Sequence, residues 1–377
     1  MDVRDFDFDL PPELIAQEPS PVRGGARLLH VDRASGFFSH TCVAALPDLL
    51  RPGDLVVVNN TRVFPARLLG RRDPSGGAVE CLLVRTLAGG SDLDLTLPQI
   101  FRGEFQARVR SGSDPEPAGE LWEALVHPGQ KLKPGATVVF EGIHTIRGEI
   151  LERRHFGRRV VRLWTDDGSP LDEAVDAIGH MPLPPYIKRD DRPDDRDRYQ
   201  TVFARARGSI AAPTAGLHFT PQLTTALAER GVETPDITLH VGYGTFQPIR
   251  VARVEDHVLE RERYEIGEPA ATAINRARAD GRRVIAVGTT TTRTLEAVAR
   301  DHDGAIVAGR GDTDLFLYPG AEFHIVNGLL TNFHLPQSSL LMLVSAFAGV
   351  DLVKAAYREA IAQRYRFYSY GDAMLIL

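Results

Sequence analysis

The chain has little of what builds disulfide or metal frameworks. It carries two cysteines, Cys42 and Cys81, far apart and without metal-ligand spacing. That excludes a disulfide-stapled fold and points to a reduced, cytoplasmic setting. No His/Asp/Glu pattern has the His-Glu-x-x-His spacing of a helical zinc site, so no metal is expected. No Gly-x-Ser-x-Gly elbow supports a serine hydrolase. Long apolar runs are missing too. The longest, Leu340–Val350, is broken by Ser345 and Gly349 and is far short of a membrane span. Met1–Asp9 alternate Asp with Phe and Val and lack the basic and apolar regions of a signal peptide. Nor is there an excess of positive charge: 44 Lys and Arg against 50 Asp and Glu give a net charge of −6. This argues against generic coating of nucleic acid but leaves room for local basic faces.

What is present is the length of about two ordinary domains, with 43% hydrophobic and 25% charged residues among 377. Two textures alternate. Between Pro65 and Trp164 short strand-like runs are separated by Gly, Pro and Ser turns: Val79–Thr86, Phe105–Arg110, Leu121–His127, Thr137–Phe140, Ile146–Leu151 and Arg159–Trp164. Such spacing predicts a small β-barrel or sandwich. After Ser169, helices at 171–178, 221–230, 268–280, 292–300, 338–347 and 350–365 alternate with strands at 236–241, 283–287 and 314–318. That pattern predicts an α/β domain with a largely parallel sheet. The apolar run Asp54–Asn59 reads as one more buried strand. The expected organisation is a discontinuous α/β domain, 1–63 and 166–377, with a β-barrel, 64–165, inserted into it. The charged stretch Asp190–Arg198 reads as a mobile surface loop.

Several loops could carry chemistry. Gly208–Thr220 surrounds one histidine, His218, with small residues, and Thr220-Pro221 open a helix just behind it. The run Val284–Arg293 is a buried strand ending in Gly288 and four threonines before a helix. It is neither a Walker A loop nor Gly-x-Gly-x-x-Gly, so ATP hydrolysis and nicotinamide chemistry lack support. Its hydroxyls and helix-start N–H groups suit ribose, phosphate or carboxylate beyond the end of a strand. A well-capped turn would account for it equally. His240–Pro248 ends another strand, and its Tyr243 and Phe246 could stack on a base or simply fill a core. Asn332–Ser339 places His334 before an apolar helix; Gly311–Thr313 and the polar-aromatic Tyr365–Asp372 complete the set. Together these loops predict an enzyme that binds a nucleoside-like small molecule.

The same stretches resemble the S-adenosylmethionine:tRNA ribosyltransferase-isomerases of queuosine biosynthesis. The matching motifs include Asn59-Asn-Thr-Arg-Val63, Gly179-His-Met-Pro-Leu-Pro-Pro-Tyr-Ile-Lys188, Ala211–Thr220, Gly311-Asp-Thr313, Thr331-Asn-Phe-His-Leu-Pro336 and Ser369-Tyr-Gly-Asp-Ala-Met374. They run nearly end to end. The chain departs from the family pattern at Tyr243, at Thr291-Thr292 and in an apparent insertion, Leu87–Glu120, within the barrel.

The resemblance implies an α/β domain carrying an inserted barrel. It also implies transfer and isomerisation of the ribosyl part of S-adenosylmethionine onto 7-aminomethyl-7-deazaguanine at the tRNA wobble position, giving epoxyqueuosine and releasing adenine and methionine. S-adenosylmethionine is then a consumed co-substrate, and neither another cofactor nor an obligatory protein partner is implied. On that reading His218 and His334, with pKa values near operating pH, share the acid–base work. Thr214, Thr289, Thr290, Arg293 and Asp312 hold the ribose and the methionine zwitterion, and Tyr370 or Asp372 holds the substrate base. Arg62, Arg67, Arg153, Arg154, Lys188 and Arg189 grip tRNA phosphates. An RNA methyltransferase and a non-catalytic RNA-binding protein are the rival readings. The first would normally show a Gly-rich loop after its first strand, where this chain has Asn60-Thr-Arg.

Overall fold

The computed structural model describes residues 1–87, 119–246 and 249–377. They divide into two compact units, Met1–Val63 with Leu183–Leu377, and Phe64–Pro182. The expected strand Phe105–Arg110, most of the insertion 87–120, and Gln247 and Pro248 lie outside the described residues.

The larger unit is built on a nine-stranded sheet. Its spatial order is Gly309–Thr313, Glu262–Ile266, Asp236–Leu239, Leu55–Asn59, Val284–Val287, Gly328–Asn332, Ala373–Ile376, Arg27–Val31 and Phe38–Cys42. The four strands from Asp236–Leu239 to Gly328–Asn332 are mutually parallel. Outside them the pairs are antiparallel, except that Ala373–Ile376 runs parallel to Arg27–Val31. The sheet is therefore mixed, with its parallel strands at the centre. The central strands read as unbroken apolar runs because both faces are covered. Leu55 and Val57 pack into one core layer with the helices Glu268–Ala279, Thr289–Asp301, Ser339–Ala348 and Val350–Ala362. Val56 and Val58 face the other layer, with Leu223 and Leu227 of the helix Pro221–Glu229, as the two-residue period of a strand requires.

Local signals account for the helix starts. The Thr220 hydroxyl accepts from the Leu223 N–H at 3.1 Å, with Pro221 at the first helical position. The Ser338 hydroxyl does the same for Leu341 at 3.2 Å. Glu296 is buried on the helix Thr289–Asp301 because its carboxylate accepts three backbone N–H groups, those of His324, Ile325 and Val326. This ties the helix to the segment leading into the strand Gly328–Asn332.

The smaller unit is a closed antiparallel barrel of six strands in the order Arg158–Thr165, Glu120–His127, Ala78–Thr86, Arg67–Asp73, Thr137–Phe140 and Ile146–Arg153. Many of its arginines are structural. Arg159 is buried and donates to the carbonyls of Leu132, Arg158 and Gly129. Glu123 is buried among Arg85, Arg154 and Arg158. Burial alone would raise its pKa, and the three guanidiniums together bring it below the ordinary value.

Three expectations are corrected. The helix Leu171–Ile178, placed with the α/β body from the change of texture, falls in the barrel unit. The strand expected at 314–318 lies one step earlier, at Gly309–Thr313. Asp190–Arg198 is no loose loop: it contains the short helix Asp195–Arg198. Its buried Asp195 takes both ends of the Arg189 fork, at 2.7 and 2.9 Å, and the Tyr370 hydroxyl at 2.8 Å. A charged stretch becomes ordered when one carboxylate is this fully bonded.

Candidate active site

The carboxyl ends of the parallel strands open onto one cavity of about 670 Å³, its open mouth included. Gly288, Thr289 and Thr290 follow the strand Val284–Val287; Thr331, Asn332 and His334 close the strand Gly328–Asn332. Thr214 and Ala215 enter from the short turn Thr214–His218. Ligands of open α/β sheets bind at such strand ends. Gly288 has φ +88°, which starts the helix Thr289–Asp301 abruptly. A Cβ there would stand 3.7 Å from the Ala215 methyl and in a strained backbone region. The helix thereby presents its first N–H groups beside the cavity, where negative charge is favoured. Tyr186 and Tyr368, whose ring centroids are 4.7 Å apart, also line it. The rings are tilted by 52°, and either one could stack on a heterocyclic base.

Both expected histidines are buried. Nε2 of His218 lies 3.3 Å from Oδ1 of Asn332. The Asn332 amide nitrogen donates to the carbonyls of Tyr368 at 2.8 Å and Ser369 at 3.4 Å. Carbonyls only accept, so the amide orientation is fixed and its oxygen faces His218. The proton of neutral His218 therefore sits on Nε2 and its lone pair on Nδ1. His334 lines the cavity. Its Nε2 is 2.8 Å from the Thr331 hydroxyl, and its backbone N–H donates to the Tyr357 hydroxyl at 2.8 Å. Burial pushes the His218 pKa down to about 4 and that of His334 to about 3. This corrects the expectation of near-neutral pKa values: both imidazoles are uncharged at pH 7.

The other expected residues separate. Thr214, Thr289, Thr290 and His334 share the cavity. Arg293 lines an adjoining one, paired with Glu262. Asp312 is elsewhere: it is exposed on the edge strand, opposite Arg263 in register. Tyr370 is bonded to Asp195, outside the cavity. Asp372 is buried and accepts from the backbone N–H groups of Arg27 and Arg366 and from the Arg27 guanidinium. Its oxygens are occupied in anchoring the C-terminal segment, so neither Tyr370 nor Asp372 stands in the cavity to receive a base.

Of the expected phosphate-gripping residues, Arg62, Arg153 and Lys188 are exposed. Arg67 is paired with Glu80, Arg154 with Glu123 and Glu152, and Arg189 with Asp195 and Glu18. Asn332 belongs to a matching motif that gave it no role, and its place between the histidine loop and the tail appears only in three dimensions. Glu262 had no signal, because its partner Arg293 lies on a helix 31 residues further along the chain.

The whole chain matches known proteins. The family model described as "Queuosine biosynthesis protein" covers residues 3–376. The S-adenosylmethionine:tRNA ribosyltransferase-isomerase of Symbiobacterium thermophilum is 49% identical over 377 residues, covering 100% of both chains. That of Desulfitobacterium hafniense is 47% identical with the same coverage. Among solved structures, the S-adenosylmethionine tRNA ribosyltransferase of Thermotoga maritima is 35% identical, with a TM-score of 0.52, and is matched over 99% of this chain and 100% of that one. The chain belongs to the queuosine biosynthesis protein family, in which these relatives are S-adenosylmethionine:tRNA ribosyltransferase-isomerases.

Proposed function

We propose that this enzyme moves the ribosyl part of S-adenosylmethionine onto 7-aminomethyl-7-deazaguanine at the wobble position of tRNA and isomerises it, giving epoxyqueuosine-tRNA, adenine and methionine. One observation carries the reading. In a chain of this family, a single cavity at the carboxyl ends of the parallel strands joins His334, Thr214, Thr289 and Thr290, with His218 held next to it by Asn332.

The sulfonium of S-adenosylmethionine acidifies its 5′ C–H, and a neutral imidazole is the form that accepts that proton. The imidazolium so formed is a strong acid, because its pKa is low wherever burial disfavours the charge. It can return the proton to the departing adenine. His218 and His334 share these transfers, with Nδ1 of His218 as the available lone pair. The threonines at the start of the helix Thr289–Asp301 hold the ribose. The tyrosine pair Tyr186 and Tyr368, rather than Tyr370 or Asp372, offers the face for a base.

The reaction needs no metal or other cofactor and no protein partner. Modification of tRNA is work for the cytoplasm on this reading. Among the described residues no single helix is long and apolar enough to cross a membrane. Arg62, Arg153 and Lys188 each contribute exposed charge for tRNA phosphates.

Donor labelled on its methyl carbon tests the reading. Ribosyl transfer leaves all of that label in free methionine. Label in the RNA would instead identify a methyltransferase. Binding of tRNA without any consumption of the donor would identify a binding protein.

A further inference from the structure

The helix Thr289–Asp301 carries two buried polar groups with no hydrogen-bond partner among the described residues: the Thr290 hydroxyl and the Nη2 nitrogen of Arg293. Three residues apart, they lie on one helix face about a turn from each other. Thr290 lines the cavity described above. Arg293 lines a second, of about 440 Å³ with its mouth, together with Gly242, Glu260, Glu262 and Ser339. Leu340 borders both.

The remainder of Arg293 is committed. Nη1 donates to Oε2 of Glu262 at 2.5 Å and Nε to the Leu315 carbonyl at 2.9 Å. Oε1 of Glu262 in turn accepts the Gly242 N–H at 2.9 Å. Glu262 thus holds the guanidinium fork in one orientation and leaves Nη2 over. A buried guanidinium N–H without an acceptor bears the desolvation cost of a charged group. An anionic ligand group removes that cost, and a carboxylate fits a guanidinium best.

We infer that the two cavities are compartments of one ligand site, and that the Arg293–Glu262 compartment binds the α-amino-acid end of the ligand, its carboxylate on Nη2 of Arg293 and its ammonium beside Glu262. The inference rests on the proposed use of S-adenosylmethionine and adds a specificity: the site selects donors that retain the α-carboxylate. Two guanidiniums, Arg261 and Arg293, and two carboxylates, Glu260 and Glu262, line this compartment, a balance that suits a zwitterionic amino-acid end. Glu262 is a positioning residue for Arg293 as well as the ammonium partner.

Calorimetric titration of the full chain with S-adenosylmethionine and with its decarboxylated form tests this. Wild type should bind the decarboxylated form about 10–100-fold more weakly, as for loss of a charged hydrogen bond. In Arg293→Lys, which keeps a charge but loses the fork, the two ligands should differ less than threefold, and thermal unfolding checks that the variant is folded. Should it not fold, Glu262→Gln carries the test with the donor and its des-amino analogue, which wild type separates and this variant should not. An undiminished discrimination in folded Arg293→Lys places the carboxylate elsewhere and overturns the inference. Equal binding of both ligands by wild type overturns it too while leaving the proposed reaction standing. Failure of wild type to bind S-adenosylmethionine at all overturns both.

Discussion

The side-chain oxygen of Asn332 lies 3.3 Å from Nε2 of His218, while its nitrogen donates to the Tyr368 carbonyl at 2.8 Å. One amide thus fixes a histidine tautomer and anchors the C-terminal segment that carries Tyr368 and Ser369. Replacing Asn332 with Ala frees the ring and loosens that segment. Single-turnover rates should fall on the order of a hundredfold, the cost of a misplaced reacting group, with the circular dichroism spectrum unchanged. A rate within twofold of wild type would show that His218 needs no orienting.

The two buried histidines make stability depend on pH. Their folded pKa values, about 4 and about 3, lie below the ordinary 6.5. Between those limits the unfolded chain binds protons that the folded chain refuses. Stability is therefore full above about pH 6.5 and falls as pH drops toward 4 and 3, each histidine contributing a slope of about 1.4 kcal/mol per pH unit. Denaturant titrations of wild type and His334→Asn from pH 7 to 4 should show the shallower slope in the variant. Parallel slopes would mean that His334 becomes charged inside the fold.

Asp195 binds the Arg189 fork and the Tyr370 hydroxyl. Removing it leaves the Arg189 guanidinium with Glu18 as its remaining carboxylate and strands a buried phenol. Asp195→Ala should lose about 3–5 kcal/mol of stability, the range for breaking a buried ion pair, and a denaturant midpoint measures it. A loss below 1 kcal/mol would mean that 190–198 behaves as the loose loop its composition suggests.

The basic residues should separate in salt dependence. Neutralising exposed Lys188 or Arg153 should lower the slope of log binding constant for tRNA against log salt by about 0.7–0.9 for each phosphate no longer engaged. Arg154, already paired with Glu123 and Glu152, should leave the slope unchanged. Filter binding at four salt concentrations reads both. Equal effects of Lys188 and Arg154 would contradict the assignment.

Strongly periodic and well-punctuated elements were legible in the sequence. The buried runs Leu55–Asn59 and Val284–Val287, the Thr220-Pro221 helix start and most barrel strands lie where hydrophobic pattern and turn residues put them. The strand Gly328–Asn332 was missed, although it delivers Asn332 and His334. Its five residues carry no alternation, being buried on both faces. Small-residue loops drew attention to His218, His334 and the threonines, and the structure brings His334, Thr214, Thr289 and Thr290 to one cavity with His218 beside it. The surroundings of Asp312 and Asp372 were not legible for a shared reason: a carboxylate in a motif looks the same whether it faces a ligand, solvent or two arginines. Only pairing across distant segments distinguishes these, as the Asp372–Arg27 bridge at 3.0 Å shows.

The central claim is ribosyl transfer, and its products decide it. Pure enzyme would be incubated with S-adenosylmethionine and tRNA carrying 7-aminomethyl-7-deazaguanine, then analysed by liquid chromatography with mass detection. Adenine, methionine and an epoxyqueuosine nucleoside in equal amounts are the predicted result, with His218→Ala losing all three together. S-adenosylhomocysteine with a methylated nucleoside, in place of adenine and methionine, would contradict the account.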